Sequence, residues 1–220
     1  MRATDAAYQR LRDDILSWRI QPGTPLSEVD LAERLGVSRT PLRAALARLA
    51  LEGLVDTTRG RTALVSDVSP AGLAELFELR EALEMQAVRL AARRRDPAVF
   101  DGLAAEFAAA ATILAEQGVQ AYYDVIDRFD VAVDAAVRNP TLTGALDTVR
   151  TRVTRARRIA ADDDRRLERA AEEHRVICEA IRDGDPELAI AATTVHLRGS
   201  LTTILAKLGE RDDLQKETSR

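Results

Sequence analysis

Four polar side chains within six residues, Ser38, Arg39, Thr40 and Arg43, are the groups this sequence best equips for recognition. An Arg guanidinium can donate bidentately to guanine O6 and N7, while Ser and Thr hydroxyls reach phosphates or base edges. A helix start adds backbone N–H groups that can hold a phosphate. The stretch that must position them is 31–46, LAERLGVSRTPLRAAL. Leu31, Ala32, Leu35, Val37, Leu42, Ala45, Leu46 and Leu49 fall at helical spacing on both sides of Gly36. That pattern predicts a short helix, a tight turn and a second helix starting near Ser38. It is the helix-turn-helix arrangement. Gly-turned helix pairs are also common as plain structure, so the pair alone leaves both readings open.

A second group of reactive side chains lies far downstream. The chain has two histidines, both on apolar helix faces. His174 belongs to the series Leu167, Ala170, Ala171, His174, Ile177, Cys178 and Ile181, and His196 lies beside Ala192, Val195 and Gly199. Asp130 borders the stripe Tyr122, Ile126, Phe129, Val133 and Val137. Asp130, His174 and His196, projecting inward from three helices, would make a three-ligand site for a divalent ion. The plainer alternative is two hydrogen-bonded core histidines and a surface Asp. Cys178, one turn after His174, reads as a small buried hydrophobe rather than a thiolate donor. Arg80 sits within the apolar stripe of Leu73, Leu76, Phe77, Leu83 and Ala87, so its guanidinium must be paired. Glu84 one turn on is one partner; the carboxylate of a small organic acid is the other. Tyr122 and Tyr123 would line the same cavity or simply fill the core. Arg150, Arg152, Arg155, Arg157 and Arg158 read as a solvated or subunit-facing run.

Composition narrows the classes. Hydrophobic residues at 46% suffice for a core, and only 4% aromatic content favours Ala/Leu-rich helix packing over a β-sandwich. One cysteine gives no disulfide framework and fits a reducing cytoplasm. No apolar run approaches the roughly 18–20 residues of a membrane helix, and no signal-peptide core is present, so no membrane partner is expected. The net charge of −4 hides a local excess: from Arg34 to Arg61 six Arg face only Glu52 and Asp56. A basic patch on an acidic chain can hold phosphates in a salt-sensitive way.

Read in order, Thr4 caps a helix to about Trp18, and Pro22-Gly23-Thr24-Pro25 breaks the chain. Ser27 caps the next helix and Gly53 closes the third. Leu54-Val55 and Ala63-Leu64-Val65 bracket an Arg59-Gly60-Arg61 tip, a small hairpin whose basic end could lie on the backbone or in a minor groove. Ser69-Pro70 is a boundary. Six helices follow, at approximately 70–94, 97–117, 119–138, 141–161, 163–183 and 186–208, divided by Pro, Gly and Asp-rich breaks. The expected fold is mainly α. It has a DNA-binding domain over 1–67, an all-helical bundle over 70–210 and a frayed tail over 211–220.

Residues 8–67 resemble the winged helix-turn-helix domain of the GntR family of bacterial transcription regulators. The stretches that carry the likeness are 20–23 (IQPG), 26–28 (LSE), 31–43 (LAERLGVSRTPLR) and 49–55. The resemblance implies that Arg39, Thr40 and Arg43 read bases or adjacent phosphates, that Ser38 holds a phosphate, and that Gly60 sits at a wing tip between Arg59 and Arg61. One departure stands out: many members place an Arg where this chain has Val29. Residues 70–208 resemble the helical ligand-binding domain of the fatty-acid-regulator-like branch, through 78–84 (ELREALE), 129–140, 173–185 and His196-Leu197. That likeness implies a carboxylate effector, with Arg80, Tyr122 and Asn139 as its contacts. It also implies a divalent metal (zinc, manganese or nickel) held by Asp and His ligands. His174 and His196 match the last two ligands, but the first Asp and His positions hold Ile126 and Asp130.

These readings converge on a cytoplasmic, homodimeric operator-DNA binder, associated with the nucleoid when bound and tuned by a small organic acid. The alternative is a metal-dependent helical-bundle enzyme with a DNA-targeting domain. It lacks support in the motifs: the Glu-x-x-His pairs of di-iron bundles are absent, with Ala171 and Thr193 at the required places. No nucleophile–base pair or phosphate loop is evident, so no catalytic residues are expected.

Overall fold

The computed structural model describes residues 3–58, 62–158 and 164–218. Among these the chain forms ten helices and three short strands. It divides into two compact units, Met1–Ser69 with Arg150–Arg158, and Pro70–Val149 with Ile159–Arg220.

The first unit contains α1 (Ala3–Leu16), β1 (Pro25–Leu26), α2 (Glu28–Leu35), α3 (Arg39–Leu51), β2 (Val55–Asp56) and β3 (Ala63–Val65). Ala7, Leu11 and Ile15 of α1 share one core with Leu42, Ala45, Leu46 and Leu49 of α3. The Ser27 hydroxyl caps α2 by accepting the Asp30 N–H, as the Ser-x-x-Asp spacing predicts. At the other end Gly36 takes a left-handed conformation (φ 66°, ψ 34°) and its N–H closes on the α2 carbonyls. Only glycine adopts that backbone freely, so Gly36 sets the turn between α2 and α3.

The expected hairpin forms, with Val55 opposite Val65 and Asp56 opposite Leu64. A third strand joins it: β1 pairs with β3 through Pro25–Leu64 and Leu26–Ala63, giving the antiparallel order β1-β3-β2. The Arg run also differs from expectation. Arg155 is buried, and the indole of Trp18, itself at φ 60°, donates Nε1–H to the Arg155 carbonyl at 3.0 Å. Burial pulls the Arg155 guanidinium down to about 10, and the nearby Asp67 charge opposes that shift.

The second unit holds α4 (Pro70–Arg94), α5 (Pro97–Ala108), α6 (Ala110–Gln117), α7 (Val119–Val137), the first turns of α8 (Pro140–Arg157), α9 (Asp164–Asp183) and α10 (Pro186–Thr218). The helix expected over 97–117 is two, because the chain bends by 59° at Ala109. The tail expected to fray from 211 instead continues α10 to Thr218, with neither Gly nor Pro between 211 and 218 to stop it. The Pro186–Glu210 part of α10 is long and apolar enough to cross a membrane by length and composition. Ala189, Leu197 and Ile204 of this segment are buried as α10 packs on α4 and α9.

Between α7 and α8, Arg138 adopts the left-handed conformation (φ 49°, ψ 40°). A side chain there costs about 1–2 kcal/mol that glycine avoids, while glycine's extra freedom when unfolded returns roughly half of it. Arg138→Gly should therefore stabilise the chain by about 0.5–1 kcal/mol, read as a rise of a few degrees in thermal melting. No change, or a fall, would show that the Arg138 side chain holds this turn.

Candidate nucleic-acid interface and histidine cluster

The first turn of α3 is bare. Ser38 is its extended N-cap (φ −72°, ψ 165°), yet the hydroxyl makes no capping bond. Ser38, Arg39, Thr40 and Arg43 are exposed, while Leu42, Ala45, Leu46 and Leu49 on the opposite side of the same helix are buried. The burial period thus delivers the predicted polar face. Arg39 forms no ion pair among the described residues. Arg43 does: its Nε donates to Glu28 Oε1 and Oε2 at 2.9 and 2.8 Å. Arg59, Gly60 and Arg61 lie outside the described residues. Next to them, Asp56 Oδ1 accepts from the Thr58 N–H at 2.8 Å and from its hydroxyl at 2.6 Å.

In the helical unit the structure brings His174 and His196 together, with ring centroids 4.2 Å apart. Phe107 of α5 stacks on His174 at 4.8 Å and 13°, and Phe129 of α7 meets it edge-on at 5.4 Å. Each imidazole has its Nδ1 engaged by an acceptor. His174 Nδ1 bonds the Ala170 carbonyl at 2.7 Å, and His196 Nδ1 bonds Glu173 Oε2 at 2.8 Å. In the neutral ring this puts the proton on Nδ1 and the lone pair on Nε2. Arg166, also buried, donates Nη2 to the same Glu173 oxygen at 2.9 Å. Gly199 admits this group: a Cβ there would lie 3.3 Å from Arg166 Nη2 and 3.4 Å from Glu173 Oε1.

Arg166 and Glu173 are the residues that reading the sequence missed. Their spacing of seven is two helical turns, and it places both on one face of α9 toward α10.

The remaining candidates separate. Asp130 is half-buried, and among the described residues no three of His, Cys, Asp and Glu group as a metal cluster. Of the expected Asp130–His174–His196 triad the structure brings the two histidines together, with the core residue Ile126 (4% exposed) at the place of the first ligand. Arg80 is buried with Nε 2.9 Å from Glu84 Oε1, so the internal pair is formed. Tyr122 is fully buried in the core cluster. Asn139 is exposed, and its Oδ1 accepts from the Leu142 N–H at 3.2 Å. It starts α8 rather than facing an interior ligand. Cys178 is buried at 0% exposure, and burial pushes its thiol far up.

A helix-turn-helix with a bare recognition turn and a small antiparallel wing, continued by an all-helical domain, defines a DNA-binding transcription regulator. Residues 3–65 match the family described as bacterial regulatory proteins, gntR family, and residues 75–199 match the FCD domain. The chain belongs to the GntR family and carries an FCD C-terminal domain. It is 31% identical over 196 residues to an HTH-type transcriptional regulator in an unstable DNA locus of Streptomyces ambofaciens, covering 87% of this chain and 80% of that protein. It is equally 31% identical over 188 residues to a probable D-xylose utilization operon transcriptional repressor of Paenarthrobacter nicotinovorans, covering 86% and 82%. The fold agrees with E. coli McbR/YncC (TM-score 0.76, 20% identity, 94% and 99% covered). It also agrees with a GntR regulator from Rhodococcus sp. RHA1 (TM-score 0.72, 22% identity, 92% and 97% covered). These relatives are regulators and not enzymes, which sets aside the enzymatic alternative.

Two outcomes follow from the buried groups. Arg80→Met breaks the buried ion pair with Glu84 and should cost about 3–5 kcal/mol of stability. Adding Glu84→Leu should restore most of it; a single variant that melts like the wild type would mean the pair does not hold the domain. Cys178 should resist a thiol reagent at pH 8 in the folded protein and react once per chain in denaturant. Rapid native labelling would contradict its burial.

Proposed function

We propose that this chain acts as a homodimer on a pseudo-palindromic operator in the cytoplasm, placing one α3 in the major groove of each half-site. The observation that carries this reading is the start of α3, where Ser38, Arg39 and Thr40 of the first turn and Arg43 of the second stand exposed over a buried stripe. Support for a second copy comes from exposed Leu188 and Val195. They line a largely apolar trough of about 340 Å³ between α9 and α10. The D-xylose operon relative is named as a probable repressor, which favours repression as the direction.

A small organic acid in the helical domain is the proposed effector, and its coupling to DNA affinity would be about 1–3 kcal/mol. The support is the His174–His196 pair, with rings 4.2 Å apart and each Nδ1 engaged: in the neutral rings Nε2 is then the acceptor nitrogen, suited to the hydroxyl of a hydroxy acid or to a cation that the acid's carboxylate also binds. Arg80, already paired with Glu84, is the weaker contact. A divalent ion would take two nitrogens from this pair and still need oxygens. Asp130 and the effector's own carboxylate are the donors of the right class. Glu173 would then hold His196 as carboxylates hold metal-bound imidazoles.

The experiment is fluorescence anisotropy on a duplex enriched from a random-sequence pool, at several salt concentrations. Arg39→Ala should weaken binding by about tenfold or more and flatten preference at one position of each half-site. Binding without sequence preference at moderate salt would overturn the operator reading. In parallel, zinc sulfate together with a hydroxy acid should raise the melting temperature more than either alone, and His196→Ala should remove the excess. No shift with any divalent ion would leave the two histidines as acceptors for the effector's hydroxyl group.

A further inference from the structure

The bond between Glu28 and Arg43 has no evident task in the fold. Glu28 is half-buried at 35% and Arg43 exposed at 65%, and an ion pair that open adds little to stability. The pair crosses the helix-turn-helix: Glu28 is the first residue of α2, and Arg43 lies in the second turn of α3. Both carboxylate oxygens take the Nε–H alone, and nothing else among the described residues bonds the guanidinium. A guanidinium has two donor edges. Here the Nε side is occupied, while the two Nη groups, the edge that matches guanine O6 and N7, are unengaged. Both residues line one groove of about 700 Å³ beside α3, with Ala47, Thr57 and Thr62 along it.

We infer that Glu28 is a positioning residue for operator recognition, holding the Nε edge of Arg43 so that its Nη edge enters the major groove already aimed at one guanine. A flexible Arg can reach either of two neighbouring base pairs or a phosphate; one held at Nε has a narrower reach. The carboxylate also carries a negative charge toward DNA, which disfavours binding to unrelated sequence. Glu28 therefore lowers general affinity and raises discrimination. This rests on the reading of Arg43 as a base contact.

The test uses the full chain and a duplex enriched from a random-sequence pool with the wild type. Every base pair is then substituted in turn and affinity is read by anisotropy at fixed salt. Arg43→Ala identifies the base pair whose preference Arg43 supplies. Glu28→Ala should cut the preference at that same base pair by about tenfold, with affinity for unrelated duplex unchanged or raised. Glu28→Gln, which keeps one acceptor oxygen, should fall between, and the double variant should be no worse than Arg43→Ala. Thermal melting checks that each variant is folded. Uniformly tighter binding with an unchanged base profile would make Glu28 a competitor for Arg43 and overturn the proposal. A loss of preference at a different base pair would overturn it too, since Glu28 would then read DNA itself. If Arg43→Ala alters no base preference, the reading of Arg43 fails first and this proposal with it.

Discussion

One carboxylate governs how α9 and α10 can meet. Glu173 accepts from Arg166 and from His196 on a single oxygen, at 2.9 and 2.8 Å. Charge taken out of water has to be matched by charge or by hydrogen bonds, and the arrangement meets that demand from both helices at once. The consequences run outward. Holding His196 at Nδ1 fixes its ring, which stands 4.2 Å from His174, and Phe107 and Phe129 close around His174 from α5 and α7. A shift of α10 by one residue would take His196 away from Glu173 and His174 together. Gly199 is part of the same constraint, because it leaves room beside Arg166 and Glu173.

The helices were legible because burial repeats with the helical period, and that period shows in the letters. Leu42, Ala45, Leu46 and Leu49 mark the buried side of α3, so the exposed candidates for DNA contact could be named from what was left over. The features that escaped are those with no local period. Strand β1 is two residues long and exists through its bonds to β3, some forty positions downstream. The bend at Ala109 falls on the residue type with the best helix propensity, which carries no stop signal. Arg166 and Glu173 looked like any charged helix surface, since the burial of Arg166 and the half-burial of Glu173 depend on α10 lying against them. The triad was legible in two of its three members: the histidines follow the apolar stripe, whereas Asp130 stands at its border.

The electrostatic layout explains how an acidic chain serves as a DNA binder. The total is −4, but the stretch holding α3 and the hairpin carries a local excess of arginine. A potential of one sign over a small area, on a background of the other, favours approach in a single orientation. Arg39 and Arg43 are exposed cations near the start of α3; Arg39 has no ion pair among the described residues, and Arg43 is tethered to Glu28.

On α3, the residues that would touch DNA and those that hold the domain together alternate along one short helix without sharing a position. Substituting Arg39 or Thr40 removes no buried atom, and Leu42, Ala45 and Leu46 place nothing on the outer face. Recognition and folding therefore draw on separate positions of this helix. A lineage can trade one target sequence for another through single substitutions that leave the scaffold's stability untouched, and the arrangement lends itself to gene duplication followed by rapid divergence of the sites each copy controls.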